Sequence, residues 1–384
     1  MTTVGDARLG AVDALRGYAI IAVLAVHCTE AVYPSSARML LAGQFGERGV
    51  QLFYIASAFS MFLALERRPI GSAIDLRDFW IRRFARLAPM FWLAFMVYLP
   101  IYGDTPSFWA PEGPALLDKV LTVLMLHTWW PTAANSIVPG GWSVGVEMTF
   151  YAVLPVLVML VRNLWAALLL LAAAFAASYP ATQLLELLYA GTTTPVLINQ
   201  FATVLSFPAQ APAFTCGIVL YFLHRAGARL HWSAATVLLF VGLAFMALIK
   251  NDTGYWFVVQ GKAVLFTNLT LFGLGLLGFA AAVVLCPSLP LNNRVARYVG
   301  EVSYSLYLIH ILWISYVLKS TKWLGLNLAG DVGFVTFTII TVITGTAAAT
   351  VTYRLVEKPA IAWAKRLSDR SRRPVEFDAV SQST

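Results

Sequence analysis

Stretches of about 20 predominantly apolar residues follow one another along almost the whole of this sequence, with only short polar segments between them. At 1.5 Å per residue such a stretch spans about 30 Å as a helix, the thickness of a bilayer's hydrocarbon core. In lipid every backbone N–H and C=O must find its partner within the chain, and helices meet that demand segment by segment. Composition agrees, since 59% of the 384 residues are apolar and 12% are charged, against about 25% charged in ordinary soluble domains. The expected fold class is an all-α integral membrane protein, a bundle of about ten transmembrane helices plus one short re-entrant or interfacial helix. Because the apolar runs succeed each other without a linker, residues 1–366 read as one transmembrane domain. The polar tail 367–384 reads as disordered and cytoplasmic.

The spans fall near 14–33, 49–65, 87–102, 142–161, 164–186, 202–223, 232–249, 264–286, 299–318 and 332–353. The run Leu116–Trp130 is too short for a comfortable crossing, and charge decides its place. The basic stretch from Glu66 to Leu87 belongs inside by the positive-inside rule, as do the loops holding Arg162, Arg225 and Arg229, and Arg294 and Arg297, and the tail from Lys365 to Arg373. Those loops share a side only if 116–130 does not cross, which gives ten spans with both termini in the cytoplasm. The net charge of +8 is thereby a topology signal, and no nucleic-acid partner is expected. The N-terminal segment has no secretory cleavage site and is expected to stay. Cys28, Cys216 and Cys286 are odd in number and set in apolar segments, so neither a disulfide framework nor a metal site is expected.

Ionisable residues inside a membrane are costly and by default functional. Arg16 and His27 are eleven residues apart in the first span, within about 20° of whole helical turns, so they share a face roughly 16 Å apart along the axis. A long phosphorylated donor stretched between them in a common tunnel is one reading; a topology flank and a hydrogen-bonded core histidine is the other. Arg82, Arg83 and Arg86 in FWIRRFARLAP suit phosphates with their guanidinium forks, although they also serve as topology determinants. In GGWSVGVEMTFYAVLP, Ser143, Glu147 and Tyr151 are spaced by fours beside Trp142; in VGEVSYSLYLIH, Ser303, Tyr307 and His310 form one stripe. Both stripes could be polar seams between helices. From topology, His27, Glu147 and His310 are expected in one layer beyond the midplane, facing a shared cavity. A histidine backed by a carboxylate there suits deprotonation of a hydroxyl, with Asp13, Trp142, Tyr151, Ser303 and Tyr307 as candidate substrate contacts. Cys28 points about 100° away from His27 and is discounted as a nucleophile.

At these residues the sequence resembles the acyltransferase 3 family of bacterial membrane acyltransferases, which includes O-antigen acetylases, nodulation-factor acetylases and macrolide acylases. The resemblance runs from about Val12 to Pro359. It rests on Asp13, Leu15, Arg16 and Gly17 followed by His27, then GVQLFYIASAF from Gly49, FWIRRFARLAP, WSVGVEMTFYAVLP, VGEVSYSLYLIH and YRLVEKP from Tyr353. Ala14 and Ala58 stand where the family usually has glycine. The resemblance implies His27 as general base, Arg16 with Arg83 and Arg86 on the donor's phosphates, and Glu147 in support. It also implies acyl-coenzyme A, usually acetyl-CoA, as cytoplasmic donor, and a cell-envelope glycan or lipid-linked precursor as acceptor, in the bacterial inner membrane. The hydrolase-like extension of some relatives is absent from this sequence, so transfer is expected to finish within the bundle. A proton-coupled exporter using His27, Glu147 and His310 as a proton path, and an acyltransferase with a small macrolide-like acceptor, stand as alternatives. A non-catalytic scaffold would leave these buried charges without a purpose.

Overall fold

A computed structural model of the chain describes residues 4–251, 258–259, 262–263, 268–326 and 328–370. In chain order the helices are α1 (Val4–Ala31), α2 (Ala37–Gln44), α3 (Gly49–Arg67), α4 (Ala73–Tyr102), α5 (Leu116–Val123), α6 (Trp142–Leu160), α7 (Leu164–Leu188) and α8 (Pro195–Gln200). They continue with α9 (Phe207–Arg225), α10 (Trp232–Asn251), α11 (Asn268–Leu285), α12 (Arg294–Glu301), α13 (Ser303–Trp323), α14 (Gly330–Thr352) and α15 (Lys358–Arg370). The one extended feature among the described residues is a minimal antiparallel pair, Val258–Val259 with Lys262–Ala263.

Among the described residues each expected span overlaps a helix. Among the described residues, eight helical segments are long and apolar enough to cross a membrane; the bent pair α12–α13 makes up to nine. The remaining expected span, 264–286, begins outside the described residues, which leave Leu271–Leu285 as a shorter apolar helix. The run from Leu116 gives only the eight residues of α5, followed by a single 3₁₀ turn at His127–Trp129, about 12 Å of helix and too little to cross.

Local chemistry sets several boundaries. Ser72 and Asn163 cap α4 and α7 by accepting from the backbone N–H groups of Asp75 and Ala166, which satisfies donors a helix start leaves open. The helix α15 continues to Arg370, beyond the domain boundary expected at 366. Its buried Ala364 and Ser368 give it a face to pack against α4, and Asp369 pairs with Arg68 at 3.6 Å. The rest of the expected tail lies outside the described residues. At that same end Arg225 reaches Glu66 at 3.3 Å, so the basic loops of α3, α9 and α15 gather at one pole.

The first helix is the hub of the bundle, packing on α3, α12, α13 and α14. Its crossing with α12 is backbone to backbone: a Cβ on Gly17 would strike the carbonyl oxygen of Ala296, and one on Gly300 that of Asp13. Small residues are what permit such an approach between membrane helices. The expected span 299–318 is broken as a result. The chain stops at Val302 and turns by 76° into α13, because α12 is drawn flat against α1 while α13 has to run along the bundle.

The crossing yields a prediction. Replacing Gly300 by Val forces α1 and α12 apart and should destabilise the folded bundle by about 1–3 kcal/mol. Thermal unfolding of the detergent-solubilised protein reads this; an unchanged midpoint would show that the helices separate at no cost.

Candidate active site

Between α1, α3, α4, α6 and α13 lies a partly open cavity of about 60 Å³. Arg16, Ser57, Arg86, Ser143, Glu147, Ser303, Tyr304 and Tyr307 supply its polar walls, and Phe53, Tyr54 and Leu87 apolar ones. Arg16 is held by Asp13 at 3.5 Å and donates to Ser60 Oγ at 3.2 Å. Arg86 stands 3.6 Å from the buried carboxylate of Glu357. Glu147 Oε1 accepts from Ser57 Oγ at 2.6 Å and from the Tyr151 hydroxyl. Two guanidinium groups and a carboxylate hydrogen-bonded through Oε1 give a cavity whose cationic side suits phosphate oxygens.

Tyr307 forms part of the cavity wall. Its hydroxyl donates to the Gly140 carbonyl at 2.8 Å and accepts from Ser143 Oγ at 2.9 Å. Gly140 has φ +80°, and a Cβ there would lie 3.2 Å from the Tyr307 hydroxyl; the tight turn of the PGGW segment therefore requires glycine. Behind the Tyr307 ring sits His310, centroid to centroid 5.3 Å. Beyond it is His27, 5.1 Å from His310. His310 is buried, with Nδ1 against the Tyr307 carbonyl and Nε2 without a partner among the described residues. His27 is a third exposed, and its Nδ1 lies 3.4 Å from Glu30 Oε2.

The expected residues thus fall into two groups. Arg16, Arg86, Glu147, Ser303 and Tyr307 line the cavity; His27 and His310 form a pair just outside it. Glu147 is on the arginine side rather than in the histidine layer, because α6 enters at Trp142 and Glu147 lies more than a turn further along. The common tunnel expected between Arg16 and His27 is not one cavity here: Arg16 lines it and His27 does not, while Tyr307 and Phe53, 6.0 Å apart, belong to its wall. Asp13 and Tyr151 stand behind the lining as partners of Arg16 and Glu147. Arg83 lies outside the lining too, its guanidinium 5.7 Å from the Tyr151 ring and donating to Met61 Sδ at 3.2 Å. Arg82 is also outside the lining, and Trp142 packs onto Ala134, Phe201 and Leu205. No group of three or more metal-binding side chains occurs among the described residues.

Sequence reasoning passed over Ser57, Tyr304, Glu30 and Glu357. Ser57 and Tyr304 sit inside quoted motifs and differ from their neighbours only in polarity. Glu30, at i+3 from His27, was visible as a helical neighbour.

The acyltransferase 3 domain profile matches residues 9–354, and the chain belongs to that family. Among similar proteins, one named as a candidate O-acetyltransferase in Staphylococcus aureus is 26% identical over 335 residues, which cover 79% of this chain and 50% of that protein. Acyltransferase MdmB of Streptomyces mycarofaciens is 25% identical over 80% of each chain. A candidate acetyltransferase of Acidianus two-tailed virus is 23% identical over 78% of this chain and 81% of its own length. This chain spans about half the length of the Staphylococcus relatives.

Replacing Tyr307 by Phe removes the two hydrogen bonds that pin the ring. The expected cost is about 1 kcal/mol in unfolding free energy, read by denaturant titration in detergent, and an unchanged stability would show that the clasp holds nothing.

Proposed function

We propose that the chain is a membrane O-acyltransferase that moves an acyl group, an acetyl group in the simplest case, from acyl-coenzyme A to a hydroxyl of a cell-envelope carbohydrate or lipid-linked glycan. The observation that carries this reading is a chain of contacts: Arg16 and Arg86 share the cavity wall with Tyr307, whose ring lies against His310, which in turn lies against His27. The donor's phosphates rest on the arginines, Arg16 first among them, and its pantetheine arm runs toward the histidines over roughly 16 Å, the rise between Arg16 and His27 on α1. Rotation of the Tyr307 ring admits the thioester.

His27 is the general base. Glu30 on its Nδ1 side fixes the tautomer that leaves Nε2 free and stabilises the imidazolium, the role a carboxylate plays behind a catalytic histidine. Nε2 takes the proton of the acceptor hydroxyl, whose oxygen attacks the thioester carbonyl. The carbon–sulfur bond breaks, and the departing coenzyme A thiolate recovers the proton from the imidazolium. His310, unpartnered at Nε2, is placed to hydrogen-bond a reacting oxygen. Glu147 keeps the cavity's charge balanced against Arg16 and Arg86. The basic pole faces the cytoplasm under the positive-inside rule, which puts both termini there, the donor cavity open to the cell interior and His27 toward the outer side of a bacterial inner membrane.

The reading is tested with purified protein and acetyl-CoA. Wild type should release free coenzyme A without any membrane gradient, which an exporter would need. His27→Ala should assemble normally while losing about 10²–10⁴-fold in rate. Near-wild-type release by the variant would remove the proposed base. The acceptor class is tested separately, by mass spectrometry of envelope glycans from cells with and without the gene, where one acyl increment should be lost.

A further inference from the structure

The motif YRLVEKP has no part in the scheme above, yet it supplies a side chain that touches the donor cavity's arginine. Residues Tyr353–Glu357 form a π-helical turn between α14 and α15. A π turn takes in an extra residue and re-aims the side chains that follow, and such turns gather at functional sites. Here the turn packs against α4 and sends Glu357 inward, where its side chain is wholly buried. One carboxylate oxygen accepts from Ser305 Oγ at 3.0 Å; the other faces Arg86 Nη1 at 3.6 Å. Ser305 belongs to α13, two residues after Ser303 of the cavity wall, so Glu357 ties the wall helices α4 and α13 to the last transmembrane segment.

We infer that Glu357 is a positioning residue for donor binding, holding the Arg86 guanidinium in the cavity wall with its hydrogen-bonding fork turned to the donor's phosphate. The inference rests on the reading of the cavity as the donor site. At 3.6 Å the pair is a charge contact longer than an ordinary hydrogen bond, so Arg86 keeps N–H groups for an incoming anion. Ser305 fixes the carboxylate from behind. A purely structural ion pair would be served by a guanidinium buried with its partner, whereas Arg86 is 27% exposed and lines the cavity.

The test is a kinetic cycle on the full-length protein with acetyl-CoA, following free thiol. Glu357→Gln is expected to raise the KM for acetyl-CoA roughly tenfold with a smaller effect on kcat, and Glu357→Asp to recover part of the loss. Ser305→Ala, which keeps both charges, should raise KM less and guards against a Glu357 variant that fails to assemble. Glu357→Gln added to Arg86→Ala should cost nothing further, because its effect passes through Arg86. If Arg86→Ala raises the donor KM but Glu357→Gln does not, or if the two effects simply multiply, the inference is overturned while the donor reading stands. If Arg86→Ala leaves the donor KM unchanged, the donor reading itself falls.

Discussion

A guanidinium in the apolar interior of a bundle is tolerated only where carboxylates and hydroxyls surround it. Arg16 and Arg86 impose that condition, and much of the architecture answers it. Asp13 and Ser60 hold Arg16, and Glu357 with Ser305 behind it holds Arg86. Glu147, itself fastened by Ser57 and Tyr151, lies across the cavity. The two arginines and their partners come from α1, α3, α4, α6, α13 and the turn after α14, so the charge network is also what registers the wall helices against each other. Removing Asp13 or Glu357 would leave a buried cation without its paired carboxylate, which costs more than the pair contributes.

The hub position of α1 follows from the same need. To bring Arg16 and His27 into contact with several neighbours at different depths, the helix has to be enclosed, and Gly17 and Gly300 let α12 approach it to backbone contact. The break at Val302 then frees α13 to run beside α1 and deliver Ser303, Tyr307 and His310 in succession. The stretch between α5 and α6 includes Gly140, whose left-handed conformation lays a carbonyl against the Tyr307 hydroxyl. That stretch thereby fixes the Tyr307 hydroxyl in the cavity wall.

Much of this was legible in the residues. Apolar run length marked the helices, and basic loops argued against Leu116–Trp130 as a crossing, because lipid imposes one length and one charge rule on every span. Helical spacing placed Arg16 with His27 on one face and aligned Ser303, Tyr307 and His310, since period alone fixes those relations. Spacing carries no information about which helices are neighbours. Glu147 was therefore put with the histidines when it lies with the arginines, and Arg82 and Arg83 were grouped with Arg86 although only Arg86 lines the cavity. The break between α12 and α13 and the π turn that buries Glu357 depend on contacts with α1 and α4, which no local pattern records. Family membership rests on the matched span 9–354.

The central claim is that the arginine-lined cavity receives a coenzyme A thioester whose acyl end reaches the histidine pair past Tyr307. An experimental structure of the protein with a non-hydrolysable acyl-CoA analogue tests it most directly. The account predicts phosphate density against Arg16 and Arg86, a turned Tyr307 ring, and the acyl carbonyl beside His27 and His310. An analogue bound elsewhere on the bundle, or one seated in the cavity with its acyl end directed away from His27, would contradict it.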